Sequence, residues 1–215
     1  MGVGVIIPFR GLSLGKTRLR ASLPDATVNA LSKRMLRNVL RSARDALPNA
    51  AMIIVTRTQD GLTGCELSGA ELVERPLALN EAIEYGREVL SLRGVTRVLA
   101  LPSDLPLIEP LDVRTLLEAA ADVVIAPDDG GMGTNGLVFP AAARNFCCFG
   151  RDSARLHAAE AAKRGLSVDF VRTPTLGRDV DTVEHINGAV RVALMDSLTD
   201  PGLGAIEERQ GDAVV

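Results

Sequence analysis

A chain of 215 residues fits one compact domain or at most two small ones, and a 47% hydrophobic share is ample for a core. With 24 basic against 27 acidic side chains, and only 3% aromatic residues, it lacks the basic face and the stacking platforms that nucleic-acid binding uses. No apolar run approaches the roughly 18 residues of a membrane span, and the N-terminus enters a strand without a basic leader, so a soluble, cytoplasmic protein is expected.

Strand-like and helix-like segments alternate from the start. Val3 to Phe9 is a continuous apolar run, the pattern of a strand buried on both faces. After Pro24-Asp25, residues Val28, Leu31, Met35, Val39, Ala43 and Leu47 share one face of a helix, with the cations mostly elsewhere. Strands are expected at Ala51 to Thr56 and Ala70 to Glu74, then a helix from Leu79 to Leu92 that Gly94 stops. Val95 to Leu101 reads as the strongest central strand, followed by a helix from Leu111 to Ala121 and a strand from Asp122 to Pro127. A glycine-rich turn leads to a strand at Leu137 to Phe139. Ser153 to Arg164 reads as a helix, Leu166 to Val171 as a strand, and Thr182 to Leu198 as the last helix. The expected organisation is one domain over 1–198 with a loose tail over 199–215. The alternation implies a three-layer α/β/α sandwich around a mostly parallel, Rossmann-like sheet, with ligands beyond the carboxyl ends of its strands. Cys65 and the adjacent pair Cys147 and Cys148 have no metal or redox spacing and read as small hydrophobes.

Five loops carry groups that could do chemistry. In FRGLSLGKT (Phe9 to Thr17), Gly11 and Gly15 enclose three residues, one fewer than the P-loop spacing that wraps a phosphate in backbone N–H groups. A distorted P-loop, another triphosphate loop and a turn with a lysine in it all remain open; Arg10, Lys16, Arg18 and Arg20 could hold a triphosphate in any case. In ALPSDLP (Ala100 to Pro106), Asp104 follows a buried strand, where it is either a magnesium ligand or a cap of the turn. PDDGGMGTNGL (Pro127 to Leu137) is an anion nest, with Thr134 and Asn135 as donors, or a plain hairpin. In FGRDSARLHAAEA (Phe149 to Ala161), Ser153 and His157 share a helix face, and capping plus a surface His is the simpler account. In GRDVDTVEHI (Gly177 to Ile186), Asp179 and Asp181 point to the same side of an extended stretch and repel unless a cation bridges them; alternatively Asp181 only caps a helix. His185 reads as a helix-surface residue.

KTRL, PLALNEAI (Pro76 to Ile83), PSDLP, the GTN turn, FG-x-x-S-x-x-x-H and D-x-DT, in that order, resemble the guanylyltransferases of deazaflavin coenzyme (F-420) biosynthesis. These act on 2-phospho-L-lactate, phosphoenolpyruvate or 3-phospho-D-glycerate. The resemblance spans roughly Val3 to Leu194 and implies a fold of the nucleotide-diphospho-sugar transferase type, without a P-loop. It implies GTP as substrate, two magnesium ions on Asp104, Asp179 and Asp181, and catalytic roles for these and Lys16. Arg10, Gly11, Lys16, Arg20, Asn80 and Ser103 would form the nucleotide side; Thr134, Asn135, Gly150, Ser153 and His157 would form the acid side. The chain departs from the family's pattern at Ser103, where Gly is frequent, and at Asp129-Gly130, where Arg-Gly is usual. Rival readings are a relative using another nucleotide with a sugar phosphate or pterin, a P-loop kinase, and a non-catalytic nucleotide-binding protein. The expected partners are small molecules alone, and a homodimer is compatible with the residues.

Overall fold

The computed structural model describes residues 2–62 and 65–195. Its strands are β1 (Gly2–Phe9), β2 (Ala51–Thr56), β3 (Glu71–Glu74), β4 (Val95–Ala100), β5 (Val123–Pro127), β6 (Thr134–Pro140) and β7 (Val168–Phe170). They form one sheet in the order β3-β2-β1-β4-β6-β5-β7. The pairs β1–β2, β1–β4, β2–β3 and β5–β7 are parallel, whereas β6 runs antiparallel to both β4 and β5. The turn over 128–133 therefore closes a hairpin, as the glycines allow.

The helices are α1 (Thr17–Arg20), α2 (Asp25–Ala46), α3 (Leu79–Leu92), α4 (Pro110–Glu118), α5 (Ser153–Lys163) and α6 (Gly188–Met195). Period-two alternation in β1 divides the core. Val5 and Ile7 meet Leu36, Val39 and Leu40 of α2 and Val113 and Leu116 of α4. Ile6 faces the other layer, with Ile83 and Leu90 of α3 and Ala154 and Ala161 of α5. Two helical layers on one sheet satisfy the apolar requirement of strands buried on both faces. Gly86 lets α3 lie close on β1: a Cβ there would stand 3.0 Å from Ile6 Cγ2.

Helix starts are locally specified. The Ala78 N–H donates to Glu81 at 2.9 Å, and the Glu109 N–H donates to Asp112 at 2.7 Å just before Pro110. The expected helix over Thr182 to Leu198 is broken instead. A 3-10 turn at Val183–His185 precedes α6; Ile186 and Asn187 separate the two, and α6 starts at Gly188, whose φ is +41°. Residues 196–198 and the expected tail over 199–215 lie outside the described residues. A third apolar cluster joins Leu19 of α1 and Leu31 and Met35 of α2 to Val180, Ile186 and Val190, so the late segment closes over the start of the chain.

Candidate active site

The loop after β1 is held by its own glycine and arginine. Gly11 has φ +94°, and a Cβ there would collide with the Thr58 side chain. Arg20 lies behind the loop: Nε donates to the Gly15 carbonyl at 2.9 Å, and the guanidinium also bonds the Leu12 carbonyl, Asp25 and Asn29. With four of its five donors engaged, Arg20 shapes the loop, whereas the resemblance had placed it on the nucleotide. Helix α1 is a single turn, too short for the sustained N-terminal dipole that a P-loop helix offers phosphate.

Lys16 is a non-glycine residue in the left-handed region (φ 55°, ψ 44°), and this backbone turn sends its side chain to the acids. Nζ donates to Asp104 Oδ2 at 2.5 Å and to Asp181 Oδ1 at 2.8 Å. Asp104 stands beyond β4, and the Val180 N–H donates to its carbonyl at 3.2 Å, which fastens the late segment there. His185 sits under that segment, its Nδ1 3.1 Å from the Asp179 carbonyl and 3.3 Å from the Asp181 nitrogen. His185 is exposed, as expected, but sits in a 3-10 turn where its ring contacts the main chain of the acid pair.

Carboxylate oxygens of Asp104, Asp179 and Asp181 lie within 4.8 Å of one another. Burial, then the neighbouring Asp104 and Asp181, pushes the Asp179 carboxyl above its usual range. Asp181 is pulled below it because the charge and hydrogen bond of Lys16 outweigh its burial. Burial opposes the Lys16 charge, but the two aspartates prevail and its pKa is raised. Asp104 Oδ1 is buried with no hydrogen-bond partner. Three clustered carboxylates, one with an unsatisfied buried oxygen, match the all-oxygen donor set that magnesium prefers.

Lys16, Asp104 and Asp181 line a cleft of about 450 Å³ at the carboxyl ends of β1 and β4, and Asp179 joins them through the carboxylate cluster. Arg10, Gly11, Lys16, Arg18, Ser103, Asp104 and Asp181 line it, with Leu79 and Phe149 among its apolar walls. The last two were not singled out from sequence; their signal was only their place beside Asn80 and Gly150. Asn80 itself is a clamp: its amide accepts from the Phe149 N–H at 2.8 Å and donates to the Phe149 carbonyl at 3.1 Å. That paired bond ties the start of α3 to the loop before α5.

Beyond the clamp, Thr134, Ser153 and His157 meet at the first residue of β6 and the first turn of α5. Ser153 Oγ is 3.0 Å from Thr134 Oγ1, which is 3.2 Å from His157 Nδ1. The Cys148 N–H donates to His157 Nε2 at 2.8 Å. His157 is fully buried, not a surface residue, and packs against Phe146 and Phe149. Ser153 begins α5 without a side-chain capping bond from Asp152, which adopts φ 57°. Gly150, at φ +138°, makes the bend that a Cβ would strain. Asn135 faces elsewhere: its Nδ2 donates to the Leu176 carbonyl at 3.0 Å and holds that turn against β6. Burial pushes the Cys147 thiol up, which leaves it no role as a thiolate nucleophile.

Burial lowers the His157 pKa to about 4, from 6.5. The folded value lies below the unfolded one, so its contribution is intact above about pH 6.5 and lost as pH falls through about 4. The expected loss is at most about 3 kcal/mol. Denaturant unfolding across that window should slope less steeply in His157→Gln than in the parent; parallel slopes would contradict a buried neutral ring.

The guanylyl transferase CofC-like family matches residues 3–190. The chain is 37% identical over 191 residues to a phosphoenolpyruvate guanylyltransferase of Rubrobacter xylanophilus, covering 86% of this chain and 92% of the relative. It is 36% identical over 185 residues to a 2-phospho-L-lactate guanylyltransferase of Methanothermobacter thermautotrophicus, covering 84% and 81%. Its fold is similar to that of a Desulfovibrio desulfuricans G20 structure described as a nucleotide-diphospho-sugar transferase, with TM-score 0.70, 19% identity, and 99% and 96% of the two chains covered. It is also similar to the 4-diphosphocytidyl-2C-methyl-D-erythritol synthase of Anaerococcus prevotii, with TM-score 0.58, 14% identity, and 90% and 94% covered. A cationic loop and three acids meet across a nucleotidyltransferase sheet, the match runs through all of them, and the chain belongs to the guanylyl transferase CofC-like family.

Proposed function

We propose that this chain is a guanylyltransferase that moves GMP from GTP to the phosphate of a small phosphorylated carboxylic acid and releases pyrophosphate. The convergence of Lys16 with the carboxylate cluster of Asp104, Asp179 and Asp181 beside the cleft carries the reading. One oxygen of the acceptor phosphate attacks the α-phosphorus of GTP, a P–O bond forms, and the bond to the bridging oxygen breaks. The departing pair of phosphates takes the electrons as pyrophosphate.

The acceptor phosphate, with a second pKa near ~6, is largely dianionic at neutral pH, so the step requires no general base. The protein contributes position and charge. Lys16 is held where a phosphate oxygen could take the place of one of its aspartate partners, and Arg10 and Arg18 line the cleft wall beside it. Asp104, Asp179 and Asp181 would hold magnesium, which when bound neutralises phosphate charge and polarises the phosphorus. Leu79 and Phe149 give the cleft an apolar wall suited to a base or sugar face. Thr134 and Ser153 offer hydroxyls to the carboxylate of the acid, with Gly150 shaping that side.

Pyrophosphate release should be measured with GTP, magnesium and each of phosphoenolpyruvate, 2-phospho-L-lactate and 3-phospho-D-glycerate, with ATP and CTP as controls. Release that needs both GTP and one acid is the expected result, and phosphoenolpyruvate, named for several of the relatives, is the first to try. Turnover with CTP or ATP in place of GTP, or none with any acid, would overturn the reading.

A further inference from the structure

Three hydrogen bonds in series constrain where the protons lie on the acid side. The Cys148 backbone N–H can only donate, so the His157 Nε2 it meets at 2.8 Å must present a lone pair. A neutral ring with a bare Nε2 carries its proton on Nδ1, and that proton points to Thr134 Oγ1, 3.2 Å away. Thr134 and Ser153 then share one hydroxyl–hydroxyl bond of 3.0 Å, which uses only one of their two protons. Among the described residues the other hydroxyl proton has no acceptor. This holds whichever hydroxyl donates: if Ser153 gives its proton to Thr134, the Thr134 proton is left, and the reverse assignment leaves that of Ser153.

Resting on the guanylyltransferase reading above, we propose that His157 is a positioning residue that makes the Thr134–Ser153 hydroxyl pair a net hydrogen-bond donor, and so selects a carboxylate at the acid end of the substrate. The opposite tautomer would set its Nε2–H against the Cys148 N–H and turn Nδ1 into an acceptor. The Thr134 proton would then be drawn to the ring, and the spare proton would disappear. A carboxylate has only acceptors to offer, so it suits the first arrangement and is repelled by the lone pairs of the second. His157 meets Thr134 from within the core, wholly buried and packed against Phe146 and Phe149, so its influence runs through the hydroxyl pair.

The chain holds two histidines, His157 and His185, so long-range nitrogen–proton correlation spectra of the labelled full-length protein can be assigned with one variant. The expected spectrum shows His157 protonated at Nδ1 and bare at Nε2, unchanged from about pH 5.5 to about pH 8. A proton on Nε2 would overturn the proposal without any assay of turnover. Two variants then read its consequence. The amide of His157→Asn reaches the Nδ1 position and keeps the donor to Thr134; that of His157→Gln reaches the Nε2 position and keeps only the acceptor for Cys148. His157→Gln is expected to raise KM for the acid by roughly 10- to 100-fold with KM for GTP within about twofold, and His157→Asn to recover most of the loss. Equal rises in both variants, or equal rises for acid and GTP, would mean that the ring only fills space. Failure of the guanylyltransferase reading shows separately, as absent pyrophosphate release by the parent.

Discussion

Asp104→Asn is expected to lower kcat/KM by about 10³-fold or more, roughly 4 kcal/mol of transition-state stabilisation. Its melting temperature should stay level or rise slightly. The activity loss follows from geometry: Asp104 carries a buried oxygen with no protein partner, in a cluster of three carboxylates within 4.8 Å, and an amide there offers a cation one neutral oxygen. The stability outcome follows from electrostatics. Asp104 is among the charges that push the Asp179 carboxyl up, so removing it relieves repulsion that the fold sustains. Lys16 loses one ion pair but keeps Asp181 at 2.8 Å. Acidic clusters of this sort are where function and stability oppose each other. The checks are steady-state pyrophosphate release and thermal unfolding on the same sample. Retained activity, or a large drop in melting temperature, would contradict the assignment of Asp104 to the cation.

Lys16→Ala and Lys16→Gly form the second test. Both should lose about 10²–10³-fold in kcat/KM, since no other cation bridges Asp104 and Asp181 among the described residues and the developing charge on the phosphates loses its lysine. The two variants should differ in stability. At φ 55°, an alanine keeps the left-handed strain of the native residue, whereas glycine is at ease there. Lys16→Gly is therefore expected to be more stable than Lys16→Ala by about 1 kcal/mol with the same low activity. A P-loop would give another pattern: Lys16 and Thr17 would dominate, and substitutions at Asp179 or Asp181 would be tolerated.

The strands and most helices were legible because this sheet is buried on both faces, which writes apolar runs such as Val3–Phe9 and Val98–Leu101. Strand direction is not written in such runs. The antiparallel course of β6 depended on whether the glycines of 128–133 closed a hairpin, and that choice rests on tertiary pairing with β4 and β5. The break before α6 had a local signal in Asn187-Gly188, which a helical period over Thr182 to Leu198 overrode. Among the candidate site residues, Asp104 was readable as an acid after a buried strand, Lys16 as a cation of the loop after β1, and Asp179 and Asp181 as a same-side pair in an extended stretch. Arg20, Asn80 and Asn135 were attributed to ligand contact; in the fold they bond the main chain of Leu12, Phe149 and Leu176, contacts that span up to 69 residues of sequence. His157 looked like a surface residue because its neighbours Arg155 and Glu160 are charged, although Ser153, Ala154 and Ala161 on its own side of α5 are buried with it.

The bond from Lys16 to Asp181 joins residues 165 apart, while the last strand among the described residues ends at Phe170. As the chain leaves the ribosome, every described strand has therefore been made before Asp179 and Asp181 emerge. A nascent chain can hold all of these strands and yet only one of the three carboxylates that meet in the folded protein. The three carboxylates therefore meet only when synthesis is nearly finished, and a translation product ending after β7 would lack both Asp179 and Asp181.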